Sequence, residues 1–475
     1  MEFDLSKNSE QYDKEQDELL YTILDNRFFK NWKRDKIFNF NDERSLLPAS
    51  NIELFITPTC NQKCEYCYLV KYDELYPFEI NNKDKIFENL KSLLNWIKEN
   101  DFYIPDIDLF SGEIWHTKFG WDFLDILYDF AKKNPGHIGK LVIPTNGSFL
   151  SKEETFFKMQ NYKDNFNNVG INFIVSLSID GKVIEDKMRP RNDTSVKDDD
   201  FYERAFLFAK HNGFSFHPMV AAKSVKYWIA NYKWWQEECK KYGLNVRDIM
   251  MLEVRNDDWD EKSISDYNSF MNFLLEDLYK DCGENPEWTA KALFNFPASR
   301  FEKVVSLENS SYVPFGLPIG ANYPGCTIST HLDIRLGDLA IIPCHRTSHK
   351  KNIYGFFELN EKHQIIGIKA NNPYLAARIL LGNNIVCSPK CDICLYNQAC
   401  LKGCFGAQME HNKDPFMPIP CVCDFFKAKL DNIFNWYESH GIIDYLKEVA
   451  SSENAQTPIG QKVIEFYELV KNGSK

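Results

Sequence analysis

Six short apolar runs, at residues 52–58, 107–110, 141–145, 173–179, 214–221 and 249–254, alternate with amphipathic stretches at 85–99, 121–132, 152–162, 201–211, 225–242 and 263–279. No other feature restricts the fold of this chain so strongly. The runs are too short for buried helices and suit buried strands. The stretches repeat apolar residues at helical spacing, as do Ile86, Leu90, Leu93, Leu94 and Ile97 in the first of them. Strand–helix alternation of this length predicts a parallel sheet with right-handed crossovers. Six such pairs fall short of the eight that close a full barrel, so the expected fold is α/β, a partial (β/α)6 TIM-like barrel over residues 51–284. Catalytic groups then belong at the C-terminal ends of the strands.

The flanks read differently. Residues 1–50 are polar, with one apolar-periodic stretch around 19–29 and an irregular one at 38–47, and predict a small helical cap. Residues 285–320 carry Pro286, Pro297, Pro314 and Pro318 and read as a connector. Residues 321–425 are cysteine-dense and irregular, and residues 426–475 form a helical tail. In that last part a helix over 425–447 is expected from Phe425, Phe426, Leu430, Ile433, Phe434 and Tyr437, with a short one after residue 453. A hydrophobic content of 44% over 475 residues implies a globular chain of two or three domains. No apolar run reaches membrane-spanning length, and the acidic N-terminus lacks the apolar core of a secretory signal, so a cytoplasmic protein is expected. A formal charge of −12 without a basic tract argues against nucleic acid and for small-molecule, peptide or protein partners.

Twelve of the fourteen cysteines are grouped, and in this setting metal binding is favoured over disulfides. Cys239 and Cys282 stand alone on expected helices and read as ordinary, partly buried thiols. Cys60, Cys64 and Cys67, spaced C-x3-C-x2-C, directly follow the first expected strand. A purely structural zinc or cluster site wants four protein ligands. Three thiolates on one short loop can instead hold three irons of a 4Fe–4S cube and leave the fourth open. A zinc loop is the alternative.

Later strand ends extend the pattern. The second run ends in Ser111-Gly112-Glu113-Ile114 and the third in Pro144-Thr145-Asn146-Gly147. The fourth ends in Ser178-Ile179-Asp180-Gly181, with Glu185 and Arg189 shortly after. With the cysteine spacing and Tyr66 before the last cysteine, these motifs resemble the radical S-adenosylmethionine (SAM) superfamily. The resemblance implies that the SAM amine and carboxylate fill the open iron position. It further implies that Tyr66 packs near the adenine, Gly112 lets the backbone approach the ligand, and Glu113 accepts from the ammonium. Asn146 lies at the corresponding third turn, Ser178 contacts the ribose or carboxylate, and Arg189 pairs with the carboxylate, with Arg191 as a substitute. The chain departs from the family's usual Gly-Gly-Glu-Pro at Ser111 and Ile114, and no role is assigned to Glu185, where the family often has His. Asn146 equally suits a plain strand-ending turn, Asp180 a turn-forming aspartate, and Tyr66 a core aromatic.

Cys391-x2-Cys394-x5-Cys400-x3-Cys404 matches the core spacing of the SPASM domain, which holds auxiliary 4Fe–4S clusters in radical SAM enzymes that modify peptides and proteins. Cys326, Gly337 and Cys344 stand for its upstream Cys…Gly…Cys, with the second gap two residues longer than usual. By this resemblance Cys391, Cys394, Cys400 and either Cys421 or Cys423 hold a distal cluster. Cys326, Cys344 and Cys404 hold a nearer one, whose fourth ligand is Cys387 or a substrate group. Structural zinc would suit the C-x2-C pairs as well, and the N-terminal motif favours iron–sulfur. In anaerobic sulfatase-maturating enzymes a catalytic aspartate follows the cysteine that closes the upstream pair. Here that position is His345, a candidate base near neutral pH or a hydrogen-bond partner to a neighbour.

The implied enzyme cleaves SAM reductively to a 5′-deoxyadenosyl radical, which abstracts hydrogen from a ribosomally made precursor peptide. A thioether or carbon–carbon crosslink, or another oxidative change, follows. Implied partners are that peptide, an electron donor such as flavodoxin or ferredoxin, and a separate leader-recognition protein. Maturation of a protein residue, as in sulfatase maturation, is the second reading. A non-catalytic iron–sulfur or zinc scaffold is the third.

Overall fold

A computed structural model describes residues 9–37, 51–71, 82–116, 118–190, 199–213, 216–249, 251–254, 256–294, 328, 330–347, 349–381, 388–396, 400, 403–451 and 458–473. The chain divides into two compact units. The first comprises Met1–Ser178, Pro190–Ser215 and Ile328–Gly382, and the second Ile179–Arg189, Phe216–Thr327 and Asn383–Lys475.

An eight-stranded sheet organises the first unit. Its strands are β1 (Asn51–Phe55), β2 (Ile107–Phe110), β3 (Lys140–Thr145), β4 (Asn172–Leu177), β7 (His331–Arg335), β8 (Ala340–Ile342), β9 (Gly355–Leu359) and β10 (Ile365–Ala370), in the order β10-β9-β8-β7-β1-β2-β3-β4. Pairing is parallel from β7 through β1 to β4 and antiparallel from β7 to β10. Side chains alternate between sheet faces, so register decides what meets. Ile52 and Leu54 lie beside Ile107, Leu109, Leu332 and Ile334 in one apolar set, all at most 1% exposed. On the other face Glu53 stands between Asp108 and Asp333, and Phe55 between Phe110 and Arg335. The helix Lys83–Glu99 carries the chain from β1 to β2. Asn82 caps its first turn by accepting from the Lys85 N–H, and Ile86, Leu90, Leu93, Leu94 and Ile97 are buried. Each such burial contributes about 1.5–3 kcal/mol.

The helical cap is part of this unit. The helix Ser9–Leu24 buries Leu20, Ile23 and Leu24, and the Asp17 carboxylate accepts the Ala370 N–H of β10 at 2.6 Å. Phe29 and Trp32 pack with Phe102 and Trp96, with Phe29 edge-on to Trp96 at 5.2 Å between centroids. The irregular stretch expected at 38–47 lies outside the described residues.

Two expectations need correcting. The fifth and sixth expected strands do not lengthen the large sheet among the described residues. They shrink to β5 (Met219–Val220) and β6 (Leu252–Glu253), which pair with each other in parallel within the second unit. Pro218 explains part of this, because it has no N–H to extend the ladder, although its carbonyl still accepts from Leu252 N at 3.0 Å. The cysteine-dense region is also not irregular throughout, since β7 to β10 and the helix Pro373–Leu380 fall within it. His331-Leu332-Asp333-Ile334-Arg335 alternates with the period of a strand.

In the second unit the helix Glu261–Asp281 packs against Pro420–Ser439. Trp259 stacks on Phe425 at 4.0 Å, and Lys429 pairs with Glu253 of β6 at 2.5 Å. The long helix expected over 425–447 breaks at Gly441, whose φ of +70° favours glycine, and resumes as Ile442–Ser451. Helix Pro286–Phe294 opens the segment read as a connector, and Pro458–Gly473 supplies the last helix.

Candidate active site

The strand ladder runs on past β1, with Ile56 N donating to Phe110 O at 2.8 Å, and the chain then enters the cysteine loop. The loop closes with Cys67 N on Cys64 O at 3.0 Å and turns into the helix Tyr68–Lys71. Cys64 is buried, and Cys60, Tyr66 and Cys67 are half-buried. Burial pushes the Cys60 thiol up to about 12, helped by the charge of Glu113 and by Cys64 and Cys67, while the Gln62 N–H opposes this. The three sulfurs therefore share one electrostatic neighbourhood, where a lasting thiolate needs a cation. This donor set fits a cluster that gives each thiolate its own iron. Among the described residues no group of three His, Cys, Asp or Glu could hold a single metal ion.

The end of β2 is bound tightly to this loop. Gly112 N donates to Thr57 O at 2.6 Å and Glu113 N to Thr59 O at 2.7 Å. A Cβ at position 112 would stand 2.2 Å from Thr59 O, so glycine is required by backbone meeting backbone. The Glu113 carboxylate, 1% exposed, accepts from Trp115 N at 3.0 Å, Thr145 Oγ1 at 2.6 Å and Asn146 N at 2.6 Å. Burial raises its pKa more than these neutral donors lower it, so a cationic partner would complement the site. Asn146 reaches the loop directly, with Nδ2 2.8 Å from Asn61 Oδ1 and 3.8 Å from Cys60 Sγ. Ser178 follows β4, half-buried, its N–H on Thr145 O at 2.7 Å.

Arg189 lies in the second unit, 6% exposed, with Nε 3.6 Å from Glu185 and Nη1 3.8 Å from Asp180. Glu185 also accepts the Asp180 N–H at 2.6 Å, and Asp180 accepts Met219 N at 2.8 Å at the start of β5. The guanidinium thus already has two carboxylate partners, Glu185 in its own turn and Asp180 before it. Glu185, left without a role by the sequence, is central to that turn, and its i,i+4 spacing to Arg189 was the available signal. Arg191 lies outside the described residues.

His345 follows Cys344 in a short helical turn. Its Nδ1 pairs with Glu53, its ring stacks on Phe110 at 4.0 Å between centroids, and Tyr68 lies 5.7 Å away. Burial raises Glu53, but the charge and hydrogen bonds of His345, with the charge of His331, bring it below the usual carboxylate range. Glu53 was missed, and its signal was a carboxylate inside an otherwise apolar strand. The Tyr68 phenol is raised by burial and by both Cys67 and Cys344, with Arg346 4.8 Å over its ring opposing. The fold therefore gathers Cys67 and Cys344, far apart in sequence, around one tyrosine.

In the second unit Cys423 is raised by burial and then by Cys391, with Cys394 also contributing. Cys421 instead points its sulfur at Asp257 O, 3.7 Å away. Of the two, Cys423 is the one whose thiol the charges of Cys391 and Cys394 help to raise. Cys400 and Cys404 are half-buried, the latter just before the helix Phe405–Asn412. Cys326 and Cys387 lie outside the described residues.

No family model and no curated protein matches the chain. Solved structures do. "Native anSMEcpe with bound AdoMet", an anaerobic sulfatase maturase, aligns at a TM-score of 0.53 and 18% identity over 82% of this chain and 98% of that one. The same protein "with bound AdoMet and Cp18Cys peptide" aligns at 0.52 and 17% identity, over 82% and 99%. SuiB of Streptococcus suis, bound to S-adenosylmethionine, aligns at 0.40 and 14% identity, over 79% and 75%. The chain has the α/β fold of the AdoMet-binding maturase anSMEcpe, with a large, mostly parallel sheet. The resemblance to radical SAM enzymes carried by the cysteine loop thus extends to the fold.

Proposed function

We propose that this chain is a radical SAM enzyme that modifies a peptide. The observation that carries the reading is the three-thiol loop at the end of the sheet's central strand, set against the buried Glu113. A bound 4Fe–4S cluster and SAM would together supply a hydrogen-abstracting radical. The chain's residues do the rest. Cys60, Cys64 and Cys67 hold the cluster and Glu113 accepts from the SAM ammonium. Tyr66, Gly112, Asn146 and Ser178 complete the cofactor site. His345, held at Nδ1 by Glu53, accepts a proton from the substrate.

In this reading the ends of β1 to β4, within residues 51–284, carry the radical chemistry, and the cysteines of residues 321–425 bind auxiliary clusters. Cys391, Cys394, Cys400 and Cys423 hold the distal cluster. Cys326, Cys344 and Cys404 hold the nearer one, with Cys387 or a substrate group as its fourth ligand. The peptide-bound anSMEcpe structure supports a peptide or protein substrate. Maturation of a protein residue is the second reading, favoured by that fold and disfavoured by His345 in place of an aspartate. A cytoplasmic electron donor and a leader-recognition protein complete the system.

The test is anaerobic reconstitution with iron and sulfide, reduction, and assay of SAM cleavage. Release of 5′-deoxyadenosine is expected, and its absence refutes the enzyme and leaves only a scaffold. Mass spectrometry of coexpressed candidate peptides then identifies the modified residue.

A further inference from the structure

Asn146 was assigned to the cofactor, yet its side chain faces the cysteine loop. The Asn146-Gly147 turn after β3 sets this direction, with Gly147 at φ +78° in the left-handed region that favours glycine. Amide orientation is normally a matter of inference, but here the neighbours fix it. Asn146 Oδ1 accepts from Ser148 N at 3.0 Å and from Ser148 Oγ at 2.6 Å. Only the NH2 group is then left to face the loop, where it has two acceptors. One is Asn61 Oδ1 at 2.8 Å and the other Cys60 Sγ at 3.8 Å. Asn61 Nδ2 returns to Ser148 Oγ at 3.1 Å and closes the ring. Asn61, Asn146 and Ser148 are buried, at 5%, 4% and 9% exposure, so water does not compete for these bonds. The Gln62 N–H adds a second donor to Cys60 Sγ at 3.4 Å.

We propose that the Asn146 amide donates to the Cys60 sulfur, holds that ligand in place and raises the reduction potential of the cluster it binds. Asn146 is then a positioning and tuning residue, locked by Ser148. This rests on the reading that Cys60, Cys64 and Cys67 hold a 4Fe–4S cluster. The physical reason is general. Reduction adds negative charge to the cluster sulfurs, so a hydrogen bond to one of them favours the reduced state. A role confined to SAM would leave the SAM-free potential untouched.

The experiment is a potentiometric titration of reconstituted full-length protein without SAM, followed by electron paramagnetic resonance. The cluster in question is identified as the one whose signal changes when SAM is added. Asn146→Leu removes the donor, and near-isosteric Asn146→Asp replaces it with an acceptor. Both are expected to move that midpoint to more negative potential while iron content stays at the wild-type level. A tenfold change in the reduction equilibrium reads as about 59 mV for one electron. Ser148→Ala, which unlocks the amide, should shift it in the same direction by less. If Asn146→Leu does not take up iron, Asn146→Asp decides. An unchanged midpoint in an iron-replete variant, with or without weaker SAM binding, overturns the proposal. Wild-type protein without any SAM-responsive cluster would overturn the functional reading and this proposal with it.

Discussion

At the scale of single residues, burial sets the terms. Glu113 lies in the interior with three neutral hydrogen-bond donors, and its raised pKa records what a cation there would gain. Glu113→Gln keeps the shape and loses a charge-assisted bond, worth about 1.5–3 kcal/mol. SAM affinity should fall roughly ten- to a hundredfold by equilibrium binding. Gly112→Ala forces a Cβ to 2.2 Å from the Thr59 carbonyl, and the backbone cannot yield cheaply there. Overpacking of this kind costs about 1–3 kcal/mol, so a lower melting temperature and poorer iron uptake are expected. Glu53 supplies a pH prediction. Its folded pKa is lowered, so the unfolded chain takes up the proton first as pH falls. The stability it contributes is present above the ordinary glutamate pKa of about 4.3 and is lost as pH drops through the lower folded value. Melting curves carried from neutral pH to well below about pH 4.3, where the loss sets in, should show a shallower acid limb in Glu53→Gln than in wild type. An identical limb would remove Glu53 from the account.

At the scale of elements, the second unit ties a C-terminal helix to a strand end through one buried pair. Lys429 of Pro420–Ser439 meets Glu253 of β6 at 2.5 Å, with side-chain exposures of 6% and 15%, and Tyr267 donates to the same carboxylate. Removing one partner of a buried pair leaves an unmatched charge and costs about 3–5 kcal/mol. Lys429→Met should therefore destabilise strongly in urea unfolding followed by tryptophan fluorescence. Lys429→Met with Glu253→Gln should recover much of the loss, because the stranded charge is gone. Equal loss in the single and double variants would assign the effect to packing instead.

At the scale of the whole molecule, the three proposed clusters of four irons predict about twelve irons in the reconstituted protein. Cys64→Ala should abolish SAM cleavage, and persistent cleavage would refute the central site. Cys423→Ala should lower the count by about four irons, whereas Cys421→Ala should retain them all, measured by iron analysis and Mössbauer spectroscopy. Loss of iron in Cys421→Ala alone would reverse that assignment. The contrast follows from the Cys421 sulfur, which lies on Asp257 O, and from the Cys423 thiol, which the charges of Cys391 and Cys394 help to raise.

The sequence by itself determined what is local. Strand–helix alternation announced the parallel strands β1 to β4, and the cysteine spacing announced the loop at the end of β1, because both are periodicities or offsets along the chain. Tertiary structure alone decided what depends on distant partners. β7 lies beside β1 although β2 to β6 separate them in sequence, and the alternation of its residues could not name that neighbour. Pro218, by lacking one N–H, helps to confine β5 and β6 to a two-residue ladder. Glu53 reads as a misfit in an apolar strand until His345 arrives against it. Asn146 reads as a turn residue until Ser148 fixes its amide toward Cys60. Residue types carry the chemistry, and the fold's long-range register decides which of them meet.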